Sequence, residues 1–229
     1  MTSRVAVFAS GGGTNLQAIL DHFAARGTAR AGDVVLVASD RPDAGALDRA
    51  RKAGIATAVL KTGKRDGIEP LDALTRHRVD FLALAGYLRL VPVNVLAELP
   101  SRVLNVHPAL LPAFGGPGMY GDRVHRAVLA SGARVSGATV HYVDSEYDSG
   151  DTLAQWPVPV LDDDTSASLA ARVLKIEHVL YPRVIDAVAS GRWRFDARPK
   201  PVPEAAFHSL MNWDERRLVR DIEAAFGFN

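Results

Sequence analysis

The sequence predicts an α/β fold: an open, mainly parallel, twisted sheet with helices on both faces and antiparallel strands in its carboxyl-terminal part. Three observations predict it. Short apolar runs recur without strict two-residue alternation, as strands covered on both faces require. Amphipathic segments of helical length lie between them, long enough for crossover connections. After Gly132 the pattern changes to two strand-like runs joined by a short acidic loop, a hairpin-like connection.

The elements follow in order. "RVAVFAS" (4–10) is the first strand, and "NLQAILDHFAARG" (15–27) the first helix. "DVVLVAS" (33–39) and "AGALDRARKAG" (44–54) repeat the pattern, then "GIATAVL" (54–60) with "IEPLDALTRHR" (68–78). "VDFLALAG" (79–86) and "RVLNVH" (102–107) are further strands, and "DRVHRAVLASG" (122–132) is a helix. Three of these helices close on Gly and the fourth on a basic last turn. "ARVSGATVHYV" (133–143) and "DTLAQWPVPV" (151–160) form the later strand pair around "DSEYDSG" (144–150). The segment 165–191 reads as one long helix with Ser or Thr available as its cap. The tail 198–229 opens with Pro199, Pro201 and Pro203, which predicts an extended linker and then a short helix.

Composition narrows the function. The chain has 229 residues, 48% of them hydrophobic and 23% charged, enough for a sizeable core in one large or two small domains. With 27 Lys and Arg against 26 Asp and Glu, the net charge of +1 gives no long-range field toward nucleic acid or an anionic membrane. Cysteine is absent, which excludes disulfides, thiolate metal sites and thiol nucleophiles. The first apolar run is too short for a signal peptide, and nothing approaches the ~20 apolar residues of a membrane span. A cytoplasmic protein is expected.

Three places carry chemistry. In "SGGGTNLQ" (10–17), Gly11, Gly12 and Gly13 clear side chains from a strand-to-helix turn, so that backbone N–H groups can surround an anion. A tight turn that merely needs flexible residues is the plainer reading. Leu16 stands where a dinucleotide fingerprint would need Gly. In "NVHPALLP" (105–112), Asn105 and His107 lie two apart on a strand and so project to one face at its carboxyl end, where open α/β sheets bind ligands. An amide can donate to a developing oxyanion, and an imidazole can carry a proton there. In "HYVDSEYDSGD" (141–151), a solvated acidic turn is the ordinary expectation. A carboxylate partner for His107 singles out Asp148.

Together, "SGGGTNLQ", "LAGYLRLV" (84–91), "LNVHPALLP" (104–112), "TVHYVDSEYDSG" (139–150) and "ARVLKIEHVLYP" (171–182) resemble the phosphoribosylglycinamide formyltransferase family, the folate-dependent enzymes of purine synthesis. The resemblance covers roughly residues 4–191. It implies a Rossmann-like formyltransferase domain over 1–191, with a phosphate-binding half (about 1–100) and a catalytic and folate half (about 101–191), followed by a carboxyl-terminal extension over 192–229. It implies formyl transfer from 10-formyltetrahydrofolate to the amine of glycinamide ribonucleotide, by a monomer or homodimer, without metal. Asn105, His107 and Asp148 would be catalytic. Gly12, Gly13, Thr14 and Asn15 would hold the ribose phosphate, with Glu177 on the ribose hydroxyls. Tyr87, Leu88, Arg89, Leu90, Val91 and Leu96, with Asp144, Ser145, Glu146 and Tyr147, would line the folate pocket, Arg89 at its mouth. His141 would support Asp148. Asp148 would keep His107 charged by ion pairing. "AFGGPGMYGDRVH" (113–125) is longer than the family's usual turn, and Gly12 and Leu174 replace side chains that can be Asn and Gln. Two other readings compete: a formyl-folate enzyme with another acceptor such as a methionyl-tRNA, for which the tail is small, and a noncatalytic nucleotide-binding module using Gly11 to Gly13 and Asp40.

Overall fold

The computed structural model describes residues 2–61, 68–193, 202–211 and 213–228. One seven-stranded sheet organises them, in the order β3-β2-β1-β4-β5-β6-β7. The strands are β1 (Ser3–Phe8), β2 (Gly32–Ser39), β3 (Ala56–Val59), β4 (Phe81–Leu84), β5 (Val103–His107), β6 (Val135–Tyr142) and β7 (Thr152–Pro159). The first five are mutually parallel, while β6 runs antiparallel to β5 and β7 antiparallel to β6. Strand order reverses between β1 and β4, so the loops leaving these two strands diverge and open a crevice at their carboxyl ends.

Alternation along β1 shows why the apolar runs are continuous. Val5 and Val7 face a core shared with α1 (Thr14–Arg26), α2 (Gly45–Lys52), α5 (Asp122–Ser131) and the long α6 (Ser166–Ala189). Ala6 and Phe8 face a second core that includes residues of α3 (Ile68–Arg76) and α4 (Val93–Glu98). All four of these β1 residues are fully buried, as a strand between two helical layers must be.

The expected helix start at Thr165 is a capping box: Thr165 Oγ1 accepts from Ser168 N at 3.1 Å, and Ser168 Oγ accepts from Thr165 N at 2.9 Å. The predicted strand 79–86 shortens to Phe81–Leu84, because Gly86 adopts a left-handed φ of 73° and turns the chain. Helix α4 was not expected; it is six residues between Pro92 and Pro100, too short for periodicity, with Val95 as its buried anchor.

The tail departs from expectation. Instead of one helix it forms α7 (Glu204–Met211) and α8 (Leu218–Phe226). Pro199 and Pro201 of the expected linker lie outside the described residues. Leu218, Ile222 and Phe226 recur at four-residue spacing and are the buried stripe of α8. Phe226 meets Trp156 of β7 and Trp193 at ring centroid distances of 6.1 and 5.8 Å. Helix α7 packs against β7, covering an edge strand that would otherwise present unpaired backbone groups.

Candidate active site

Asn105 and His107 leave the end of β5 toward one cavity of about 490 Å³, which Asp148, Asn15 and Glu177 also line. The register of the antiparallel pair sets their neighbours, Asn105 opposite His141 and His107 opposite Thr139. Thr139 Oγ1 donates to Ala109 O at 2.6 Å and accepts from Leu111 N at 3.0 Å, which fixes the turn that follows His107.

His107 is 3% exposed and has an acceptor at each nitrogen. Nε2 lies 2.9 Å from Phe114 O, and Nδ1 lies 3.5 Å from Asp148 Oδ2. A neutral ring satisfies one acceptor and turns a lone pair toward the other, so both neighbours favour the cation. Burial opposes them and dominates, holding the His107 pKa below its usual 6.5. This corrects the expectation that Asp148 keeps the imidazole charged. One carboxylate at 3.5 Å does not offset the loss of water around a ring so deeply buried.

Asp148 sits at a φ of 57°, a left-handed conformation that a non-glycine residue adopts at a cost. Its Oδ2 accepts from Gly116 N at 2.9 Å, and its Oδ1 is 3.7 Å from His141 Nε2. His141 Nδ1 is 2.7 Å from Tyr142 O, to which it donates, leaving Nε2 to accept from Asn105 Nδ2 at 3.1 Å. Burial keeps His141 below its usual pKa, consistent with this neutral tautomer. One Asn105 N–H is thereby anchored, and the amide's second N–H remains available to an oxygen in the cavity.

The glycine loop has a different logic at each position. Gly13 has a φ of 75°, and a Cβ there would come within 2.7 Å of Ala46 Cα, so helix α2 leaves no room for a side chain. At Gly11 and Gly12 a Cβ would meet nothing within 4 Å. Arg49 Nε donates to Gly12 O at 2.8 Å and brings a cation to the loop. Thr14 is exposed at the start of α1, and both Gly12 and Thr14 face shallow grooves beside Arg49 rather than the main cavity. Asn15 does line the cavity. Its Nδ2 donates to Glu177 Oε2 at 2.6 Å, while its Oδ1 is buried without a partner. Burial raises the Glu177 pKa to about 7, against the opposing hydrogen bond from Asn15.

Tyr87, Leu88, Arg89, Leu90 and Val91 form one wall of the cavity, with Glu146 and Tyr147 also lining it. Three expected folate residues stand elsewhere. Leu96 packs against the core beneath α4, and Ser145 lines a neighbouring groove. Asp144 Oδ1 accepts from Glu146 N and Ser149 Oγ, at 2.9 and 2.7 Å, and so shapes the acidic loop from within.

Sequence reasoning missed Phe114 and Gly116, whose backbone groups hold His107 and Asp148. The signal was the extra length of "AFGGPG", whose glycines let the main chain pass close to the carboxylate. It also missed His125, 5% exposed, which lines the same cavity from α5 with its Nδ1 unpartnered. The expected role of Asp40 in a nucleotide module fails for a structural reason. Its Oδ1 accepts from Ser10 Oγ at 2.6 Å and its Oδ2 from Arg89 Nε at 3.1 Å, and its side chain is only 6% exposed, so it is enclosed by these two partners rather than presented to a ribose.

A Rossmann-like sheet with a half-buried amide, a buried imidazole and a largely enclosed carboxylate at its carboxyl end defines a group-transfer site without thiolate ligands. The chain belongs to the formyl transferase family, whose profile matches residues 3–185. Among its relatives, the chloroplastic phosphoribosylglycinamide formyltransferase of Arabidopsis thaliana is 48% identical over 204 residues, covering 86% of this chain and 69% of the plant protein. The phosphoribosylglycinamide formyltransferase of Escherichia coli strain K12 is 39% identical over 193 residues, covering 82% of this chain and 88% of that one. The crystal structure of glycinamide ribonucleotide transformylase 1 from Symbiobacterium toebii superposes with a TM-score of 0.77 at 40% identity, covering 86% of this chain and 92% of the other. Among the described residues no helix is long and apolar enough to cross a membrane, and no cluster of three or more His, Asp or Glu could hold a metal.

Proposed function

We propose that this chain transfers a formyl group from 10-formyltetrahydrofolate to the amine of 5'-phosphoribosylglycinamide, a one-carbon transfer of purine biosynthesis. The observation that carries the reading is the convergence of Asn105, His107 and Asp148 on one cavity that runs between Glu177 and residues 87–91. Its size is in the ordinary range of a small-molecule site. The substrate amine attacks the formyl carbon, and the former carbonyl oxygen takes up negative charge. The free N–H of Asn105 donates to that oxygen, a contribution of ~10²–10³ in rate for one such donor. His107 takes a proton from water as this charge develops and returns it when the oxyanion collapses, because both of its neighbours accept hydrogen bonds and the oxyanion adds its negative charge to that of Asp148. Asp148 then assists the proton from the attacking nitrogen to N10 of the folate, whose C–N bond to the formyl carbon breaks. The products are the formylated amide and tetrahydrofolate.

Asn15 and Glu177 meet the ribose at the end of the cavity, Glu177 accepting from its hydroxyls, and Gly12, Gly13 and Thr14, helped by Arg49, hold the phosphate where it leaves the cavity. Residues 87–91, with Glu146 and Tyr147, hold the folate, with no metal in the reaction. We take residues 1–191 as the catalytic unit and 192–229 as an extension, acting as monomer or homodimer in the cytoplasm on small molecules alone, without nucleic acid or membrane. The test is a formyl-transfer assay with glycinamide ribonucleotide against phosphate-free glycinamide. Turnover of the ribonucleotide at far lower concentration supports the reading, and equal turnover of both removes the phosphate site from it.

A further inference from the structure

The loop after β4 wraps one wall of the cavity with little regular structure of its own, so something outside it must hold it in place. The anchors converge on two residues. Ser10 N donates to Gly86 O at 3.0 Å, and Ser10 Oγ accepts from Leu88 N at 3.0 Å. The same hydroxyl donates to Asp40 Oδ1 at 2.6 Å, and Asp40 Oδ2 accepts from Arg89 Nε at 3.1 Å. Asp40 follows β2, and its side chain is only 6% exposed, whereas that of Arg89 is 54% exposed. A carboxylate so buried is costly unless both oxygens are satisfied, and here Ser10 and Arg89 satisfy them.

We propose that Asp40 is a positioning residue for the folate side of the site. It orients the Ser10 hydroxyl so that its lone pair meets Leu88 N, and it restrains the Arg89 guanidinium at the cavity mouth, where a flexible, half-exposed side chain would otherwise sample many rotamers. Restraining Arg89 before the ligand arrives leaves less ordering to be done on binding. The brace starts beside Gly11, yet the residues it holds are Leu88 and Arg89 and not Asn15 or Glu177, so its effect falls on one substrate. The inference rests on the formyl-folate reading of residues 87–91.

Asp40→Asn tests it, because an amide offers one acceptor where the carboxylate meets two donors. Steady-state constants for both substrates and the melting temperature are measured for Asp40→Asn, Arg89→Ala and the double variant. The expected result is a Michaelis constant for 10-formyltetrahydrofolate raised about tenfold in each single variant, with the ribonucleotide constant and kcat within about twofold. The double variant is expected to fall well short of the two losses combined, since the Arg89 contact is shared and only the Ser10 contact is Asp40's own. An effect of Arg89→Ala without one of Asp40→Asn overturns the positioning role alone. Additive losses exclude action through Arg89, and equal rises for both substrates with a fall in melting temperature make Asp40 a general fold residue. No effect of either single change removes the folate reading of the loop and the inference with it.

Discussion

Asn15 Nδ2 donates to Glu177 Oε2 at 2.6 Å, and this contact joins the first turn of α1 to the middle of α6 beside the cavity. Glu177 is 7% exposed, and its pKa of about 7 stands well above the usual 4.5. The folded protein therefore holds this proton more tightly than the unfolded chain. Its ligand-free stability falls as pH rises from 4.5 to 7, by about 3 kcal/mol at most, and the loss is complete above that window. Glu177→Gln keeps an acceptor for Asn15 and never ionises. It is expected to melt higher than wild type at pH 8 and alike at pH 4, while the Michaelis constant for the ribonucleotide rises. Equal melting at pH 8 contradicts the buried-carboxylate account.

The glycine loop gives a paired prediction. Gly13→Ala forces a Cβ against Ala46 at a left-handed φ and is expected to cost about 1–3 kcal/mol in denaturant unfolding. Gly12→Ala meets open space and is expected to leave stability within about 0.5 kcal/mol. Its effect should fall instead on the ribonucleotide, because the methyl narrows the place proposed for the phosphate. A stability loss at Gly12 equal to that at Gly13 contradicts the packing argument.

The sheet was legible in the sequence because each strand between two helical layers must be apolar on both faces, as Val5 and Phe8 are. Asn105 and His107 were legible because alternation along a strand is enough to place them together. Helix α4 was not, since six residues between prolines carry no period. The clamp on the pair was not legible either, because Phe114 and Gly116 act through backbone groups, which their side chains do not announce. The charge state of His107 was misjudged for the same kind of reason: spacing names a partner, but burial decides which influence wins.

The tail predicts its own stability effect. Phe226 is 9% exposed and packs between Trp156, Trp193 and Phe228. Phe226→Ala is expected to cost about 3 kcal/mol, read by chemical denaturation, through lost burial and the cavity left behind. Turnover below the melting temperature is expected to stay within about threefold, since the cluster lies away from the cavity residues. A variant as stable as wild type would show that α8 is not part of the cooperative core.

The central claim is that Asn105, His107 and Asp148 act on one tetrahedral intermediate, and the most direct measurement is His107 titration by NMR with single-turnover rates for Asp148→Asn, His107→Asn and the double variant. In wild type without ligand His107 is expected to titrate below 6.5, as burial dictates. In Asp148→Asn it is expected to titrate lower still, because the one carboxylate favouring the cation is gone. Each single change is expected to slow transfer by ~10²–10³, and the double variant to be little slower than the worse single one. An unmoved titration together with rate losses that multiply would contradict the shared intermediate, leaving His107 as a buried ring held by Phe114 alone.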